Sequence, residues 1–132
     1  MERPFTIDEM NHIVLRVRNL QKSVDFYAML GGTRQGEVSA GTLMRIPNGQ
    51  SIILQERPEY VPAELGAVDH INLMIKAKDI FDVTSYLREN GAEIIGEPEI
   101  SRAGPTVFAK DPDGIMLEIR ITREREGAAA PA

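Results

Sequence analysis

Residues Asn11-His12-Ile13-Val14-Leu15-Arg16-Val17 are echoed further along the chain by Asp69-His70-Ile71-Asn72-Leu73-Met74-Ile75. Each stretch opens on a polar residue, continues with His-Ile and then alternates. Apolar residues at every second position describe a strand with one buried face. Ile13, Leu15 and Val17 form that face in the first stretch, and Ile71, Leu73 and Ile75 form it in the second. The chain has 132 residues and two histidines, and those two occupy the matching positions of the repeat. Self-similarity of this kind organises everything around it.

Working outward, each strand is followed by a helix. Asn19 is a candidate N-cap, with Leu20, Val24, Tyr27 and Leu30 on one helical face and Gly31-Gly32 as the stop. In the second half Asp79 is the candidate cap, Ile80, Val83, Thr84 and Leu87 share a face, and Asn90-Gly91 ends the helix. Three strands then follow in each half: Thr33–Val38, Thr42–Ile46 and Ser51–Glu56, then Glu93–Pro98, Thr106–Lys110 and Ile115–Ile121. Pro47-Asn48-Gly49 and Asp111-Pro112-Asp113-Gly114 supply the turn before the last strand of each half. The order is β-α-β-β-β twice, an α+β arrangement. Neither half can bury much alone, so the expectation is a single domain over residues 8–122. It consists of modules 8–57 and 67–122 joined through Arg57–Gly66, with residues 1–7 and 123–132 as flexible ends.

Side chains alternate along a strand, so the face turned away from the helices can be read directly. It carries His12, Val14 and Arg16 on the first strand. On the matching strand it carries His70, Asn72, Met74 and Lys76, and on the final strand Met116, Glu118 and Arg120. Taken singly, each of these has an ordinary reading: a histidine near a strand start is a half-exposed polar residue, and a glutamate in a strand points to solvent. Two histidines at equivalent positions plus a carboxylate on the same kind of face form a pattern. The residues alone leave both readings open.

Composition narrows the classes of function. A net charge of −5 repels phosphate backbones, so nucleic acid is not an expected partner. The absence of cysteine removes disulfides and thiolate chemistry, and confines any metal site to nitrogen and oxygen donors. An apolar fraction of 42% supports a folded core. No run has the length of a signal peptide or a membrane span, so a cytoplasmic protein is expected, away from membranes.

Three segments resemble the vicinal oxygen chelate superfamily of glyoxalases, bleomycin-resistance proteins and extradiol dioxygenases. They are residues 12–27, beginning His12-Ile13-Val14-Leu15 and ending Asp25-Phe26-Tyr27; residues Asp69-His70-Ile71-Asn72-Leu73; and Asp111-Pro112-Asp113-Gly114-Ile115-Met116-Leu117-Glu118. The resemblance covers roughly residues 9–122. It implies a pair of βαβββ modules and, as in the family's metal-using members, a divalent ion held by His12, His70 and Glu118. Some relatives add a ligand on the last strand of the first module. Aligning Gly49 with Gly114 puts Ile53 at that place, and an isoleucine cannot bind a metal; Gln55, two residues along the same face, is the alternative fourth ligand.

Two imidazoles and a carboxylate suit Fe, Mn, Ni, Co or Zn. The resemblance therefore implies an enzyme acting on a small molecule that chelates the ion through neighbouring oxygens, by lyase, isomerase, transferase or dioxygenase chemistry. Glu118 would be catalytic as well as a ligand, and the protein would be a homodimer. Arg16, Asn72, Lys76, Phe108 and Arg120 are candidates to bind substrate, although for each charged group a solvated rim is the competing reading. The alternative from another functional class is a metal-free protein that sequesters a small molecule, as bleomycin-resistance proteins do. The absence of tryptophan and an aromatic fraction of 5% make a poor stacking platform for that role.

Overall fold

The computed structural model describes residues 2–101 and 103–122. The expectation that the tail beyond Thr122 is flexible lies outside the described residues. The chain divides into two compact units, Met1–Tyr60 and Val61–Ala132. The division falls within the expected joint.

The first unit contains β1 (His12–Val17), α1 (Leu20–Met29), β2 (Thr33–Val38), β3 (Gly41–Arg45) and β4 (Ser51–Glu56). Its sheet has the order β1-β4-β3-β2. The helix carries the chain from β1 to the far edge, and the meander β2-β3-β4 returns it, so β4 lies parallel to β1 while the other pairs are antiparallel. Asn19 caps α1 by accepting from the Lys22 amide. The Leu20 amide donates to Glu56 Oε2 at 2.9 Å, a capping contact from the end of β4. The helix closes through Gly32 N–H donating to the Tyr27 carbonyl at 2.9 Å. Leu15, Val17, Val24, Tyr27, Met44, Ile52 and Leu54 are buried. Met44 is thus a core residue.

The second unit repeats the plan with β5 (Ile71–Ile75), α2 (Ile80–Glu89), β6 (Glu93–Ser101), β7 (Gly104–Lys110) and β8 (Met116–Ile121), in the order β5-β8-β7-β6. Asp79 caps α2 by accepting from the Phe81 amide at 2.8 Å. Asp82 in the first turn and Arg88 near the end complement the helix dipole. Ile80, Leu87, Val107, Ala109, Leu117, Ile119 and Ile121 are buried. The expected alternation holds on β8, where Leu117, Ile119 and Ile121 are buried and Met116, Glu118 and Arg120 are only partly covered. Both sheets, with their helices, are the βαβββ modules expected from the repeat.

Several boundaries differ from the sequence reading. β5 begins at Ile71, so His70 immediately precedes the strand. β8 begins at Met116, because Ile115 closes the turn: its carbonyl accepts from the Asp111 amide and its amide donates to Asp111 Oδ1. β3 runs one residue earlier than expected, since Ile46 is taken up by the turn to Gln50. β6 continues past Pro98 to Ser101, and β7 starts at Gly104. A register shift between Ile95 and Glu99 absorbs Gly96 and Pro98, and pairing resumes at Glu99 with Thr106. Among the described residues no helix is long and apolar enough to cross a membrane.

Candidate functional site

In the second unit the parallel pair β5–β8 puts Asn72 opposite Glu118, and the antiparallel pair β7–β8 puts Phe108 opposite the same Glu118. Directly opposed residues share a face. His70, Asn72, Phe108, Glu118 and Arg120 are therefore gathered on the side of this sheet turned away from its buried aliphatic row. Lys110 lies on that side too, opposite Met116.

The side chains form a connected set. His70 Nε2 lies 3.2 Å from Glu118 Oε1, and His70 Nδ1 lies 2.8 Å from Asp69 Oδ2. Glu118 Oε2 lies 3.7 Å from Arg120 Nη1, and Arg120 Nη2 donates to Asn72 Oδ1 at 3.1 Å. Asn72 Nδ2 in turn donates to the Glu118 carbonyl at 3.0 Å. The carboxylate of Glu118 is mostly covered, at 18% exposure, whereas His70 is open at 39%.

The chemistry of the pair follows from what each atom can give. Ionised Asp69 only accepts, so Nδ1 of His70 carries the proton and Nε2 is the nitrogen that presents a lone pair. That lone pair faces a carboxylate oxygen, which also only accepts. Two acceptors at 3.2 Å require a cation between them, either a proton or a metal ion. The proton's hold is visible in the ring's basicity. The pKa of His70 is raised, first by the hydrogen bond its Nδ1–H donates to Asp69, against an opposing effect of burial, with lesser contributions from the charges of Asp69 and Glu118 and the contact with Glu118. A metal ion fits the same place. Nitrogen and oxygen donors each about 2.1 Å from a common ion, at about 90–110°, stand about 3.0–3.4 Å apart.

His12, in the first unit, is held in the same manner: its Nδ1 lies 2.9 Å from Asn11 Oδ1, an acceptor. Nε2 is again the nitrogen with the lone pair. Val14 pairs with Ile53 and Arg16 with Gln55. Val14 and Asn72 each lie two residues past the histidine of their own unit, so Ile53 occupies in the first sheet the place Glu118 occupies in the second. Ile53 is buried. The side chain of Gln55 donates from Nε2 to the Ala40 carbonyl at 3.2 Å, which ties it to the β2–β3 turn. Lys76 is exposed just beyond β5, and Arg16 is exposed on β1. Among the described residues no three His, Asp or Glu side chains are arranged to hold an ion, so the second unit supplies a donor pair.

In the sequence Asp69 and Asn11 are visible only as a polar residue before each histidine, and the structure gives them the role of holding Nδ1. That recurrence is the available signal. Nothing local in the sequence marks the Asn72–Arg120 bond, whose partners stand 48 positions apart and meet only through strand pairing.

Comparison with known proteins agrees with this architecture. The family model described as Glyoxalase/Bleomycin resistance protein/Dioxygenase superfamily matches residues 9–119. The chain belongs to this superfamily. Within it, the chain is 26% identical over 117 residues to glutathione transferase FosA of Serratia marcescens, covering 87% of this chain and 82% of that protein. It is 29% identical over 128 residues to a probable lactoylglutathione lyase of Synechocystis sp., covering 87% and 96% respectively. Among solved structures, a glyoxalase/dioxygenase from Nostoc punctiforme superposes with a TM-score of 0.79 at 26% identity, over 94% of this chain and 97% of that one. Superfamily membership accounts for the two βαβββ modules. The relatives carry different reaction names, so membership leaves the reaction open.

Proposed function

We propose that this member of the superfamily is an enzyme that uses a divalent ion, held by His12, His70 and Glu118, to act on a small molecule with two neighbouring oxygens. The observation that carries the reading is the facing of two lone-pair donors, His70 Nε2 and Glu118 Oε1, at 3.2 Å, with the other ring nitrogen already occupied. The equivalent hold on His12 by Asn11 supports the third ligand. In this reading the protein is a homodimer in which His12 of one copy joins His70 and Glu118 of the other, giving two equivalent sites. Iron, manganese, nickel, cobalt and zinc suit such a donor set.

When bound, the ion would polarise a carbonyl or offset negative charge developing on a chelated substrate oxygen. The chain's own groups do the rest. Glu118 supplies one carboxylate oxygen. Phe108, directly across the ladder from Glu118, gives an apolar wall beside the polar set. Arg16 and Lys76, both exposed, are the groups proposed to meet polar parts of the substrate, while Asn72 and Arg120 are already engaged with each other. Ile53 brings no second carboxylate to the matching place, so a reaction that needs a carboxylate from each module is outside this proposal.

Elemental analysis of the purified, metal-reconstituted protein tests the proposal. One equivalent of a transition-metal ion per chain is expected, and Glu118→Gln should lower affinity at least about ten-fold while leaving the melting curve in place. A reconstituted protein without bound metal would leave the sequestering role as the standing alternative.

A further inference from the structure

We infer that Arg120 is a positioning residue for Glu118: it holds one carboxylate oxygen aside so that the other alone is presented to His70. The inference rests on the metal reading above for its functional meaning, but its geometry stands independently.

The two oxygens of Glu118 have different partners. Oε1 faces His70 Nε2 at 3.2 Å, and Oε2 faces Arg120 Nη1 at 3.7 Å. Arg120 and Glu118 stand two residues apart on β8, which puts both on one face of the sheet. A guanidinium left to itself would swing into solvent, since long charged side chains lose conformational entropy when held. This one is held at its head and along its stem. Its Nη2 donates to Asn72 Oδ1 across the parallel ladder. Asn72 is itself fixed by donating from its Nδ2 to the Glu118 carbonyl. The aliphatic stem runs beside Gly104, where an added Cβ would stand 3.4 Å from Arg120 Cγ and 3.0 Å from the Ile121 carbonyl oxygen. Gly104 has a φ of +126°, so both backbone conformation and space favour glycine there. Arg120 Nε is buried and has no hydrogen-bond partner among the described residues, so the two terminal nitrogens carry the contacts described here.

The consequence is a carboxylate that offers one oxygen to a cation. With Oε2 turned to Arg120, Glu118 would offer a bound ion one oxygen only. Arg120 is thereby committed to the protein before substrate arrives, which sets it apart from an anion anchor that must be free to bind.

The sign of a metal-binding change separates positioning from simple charge. Arg120 is a cation beside the site, and a bystander cation repels an incoming dication. If charge is its only contribution, Arg120→Met tightens zinc binding. If it positions Glu118, the same substitution weakens zinc binding, by about ten-fold as for other residues that orient ligands. Asn72→Leu, which keeps both charges and removes the tether, should weaken binding in the same direction and carries the test if Arg120→Met does not fold. Zinc affinity is measured by competition with a chromophoric chelator, and the metal-free variant is crystallised. Weaker binding with Glu118 Oε1 displaced from His70 supports the inference; unchanged or tighter binding overturns it. If the unsubstituted protein binds no zinc or other divalent ion, the metal reading fails by itself. The metal-free crystal structure then decides the inference: Glu118 displaced supports it, and Glu118 still in contact with His70 overturns it.

Discussion

Replacing Asp69 by Asn isolates one charge in the proposed centre. The bond from His70 Nδ1 to Asp69 Oδ2 is 2.8 Å long, and the bond from His12 Nδ1 to Asn11 Oδ1 is 2.9 Å. The first unit therefore shows that an asparagine at this place keeps the bond. Asp69→Asn removes the negative charge and makes the second histidine's surroundings like those of the first. Groups that orient a ligating histidine are generally worth about ten- to a hundred-fold in metal affinity. Asp69 is 98% exposed, so water screens its charge and the effect belongs at the low end, about ten-fold. The pH behaviour changes with it. The pKa of His70 is raised in the folded protein, chiefly by the Asp69 hydrogen bond. A raised pKa contributes stability that is fully present below the unfolded value and is lost as pH rises through the folded one. The same proton competes with a metal ion, so loading of the unsubstituted protein should increase with pH through a window above the usual histidine range. In Asp69→Asn that window moves down, because the proton is held less tightly. The assay is an NMR titration of the His70 ring in metal-free protein, paired with chelator competition at a pH well above both transitions. An unmoved His70 titration together with unchanged metal affinity would refute the reasoning.

Three further predictions concern the frame around the site. Leu117 is fully buried on β8 between the alternating site residues, so Leu117→Ala should cost about 3 kcal/mol and lower the melting temperature by roughly 10 °C; a drop of a degree or two would mean that the site strand is not packed as described. Gly41 has a φ of +150°, and a Cβ there would lie 2.3 Å from the Leu54 carbonyl oxygen, so Gly41→Ala should destabilise by at least about 2 kcal/mol in urea unfolding. Glu37 has a lowered pKa, first because the buried Thr42 hydroxyl donates to its carboxylate at 2.7 and 2.9 Å. That contribution is present above the ordinary carboxylate pKa and is lost as pH falls through the folded one, so the stability gap between the natural protein and Thr42→Val should change as the solution is acidified and be constant at neutral pH and above.

Much of the candidate site was legible because its chemistry follows strand alternation. His12, Arg16, Glu118 and Arg120 fall on the faces that period-two reading gave them, and the matching His-Ile pairs marked the repeat. Phe108 could be placed on a strand, but not opposite Glu118, since that depends on the hairpin register. Gln55 shows the same limit. Its position along β4 makes it a candidate ligand, and only the structure shows that its amide nitrogen donates to the Ala40 carbonyl on the neighbouring turn. Glu56, which lay outside the predicted helix signals, caps α1 from 36 positions away.

The order of strands and helices, the two helix caps and the division into two modules were settled by the chain itself, because each depends on residues only a few positions apart. Apolar spacing chooses strand or helix, and a short polar side chain ahead of an amphipathic run caps it. The tertiary structure decided the register of β5 against β8, and with it the meeting of Asn72 with Glu118 and Arg120. Those contacts join residues 46 and 48 positions apart. Local periodicity has no means of choosing among such pairings; the burial of Leu117, Ile119 and Ile121 on the opposite face makes the choice, since a slip of one residue would turn those side chains out and the site inward.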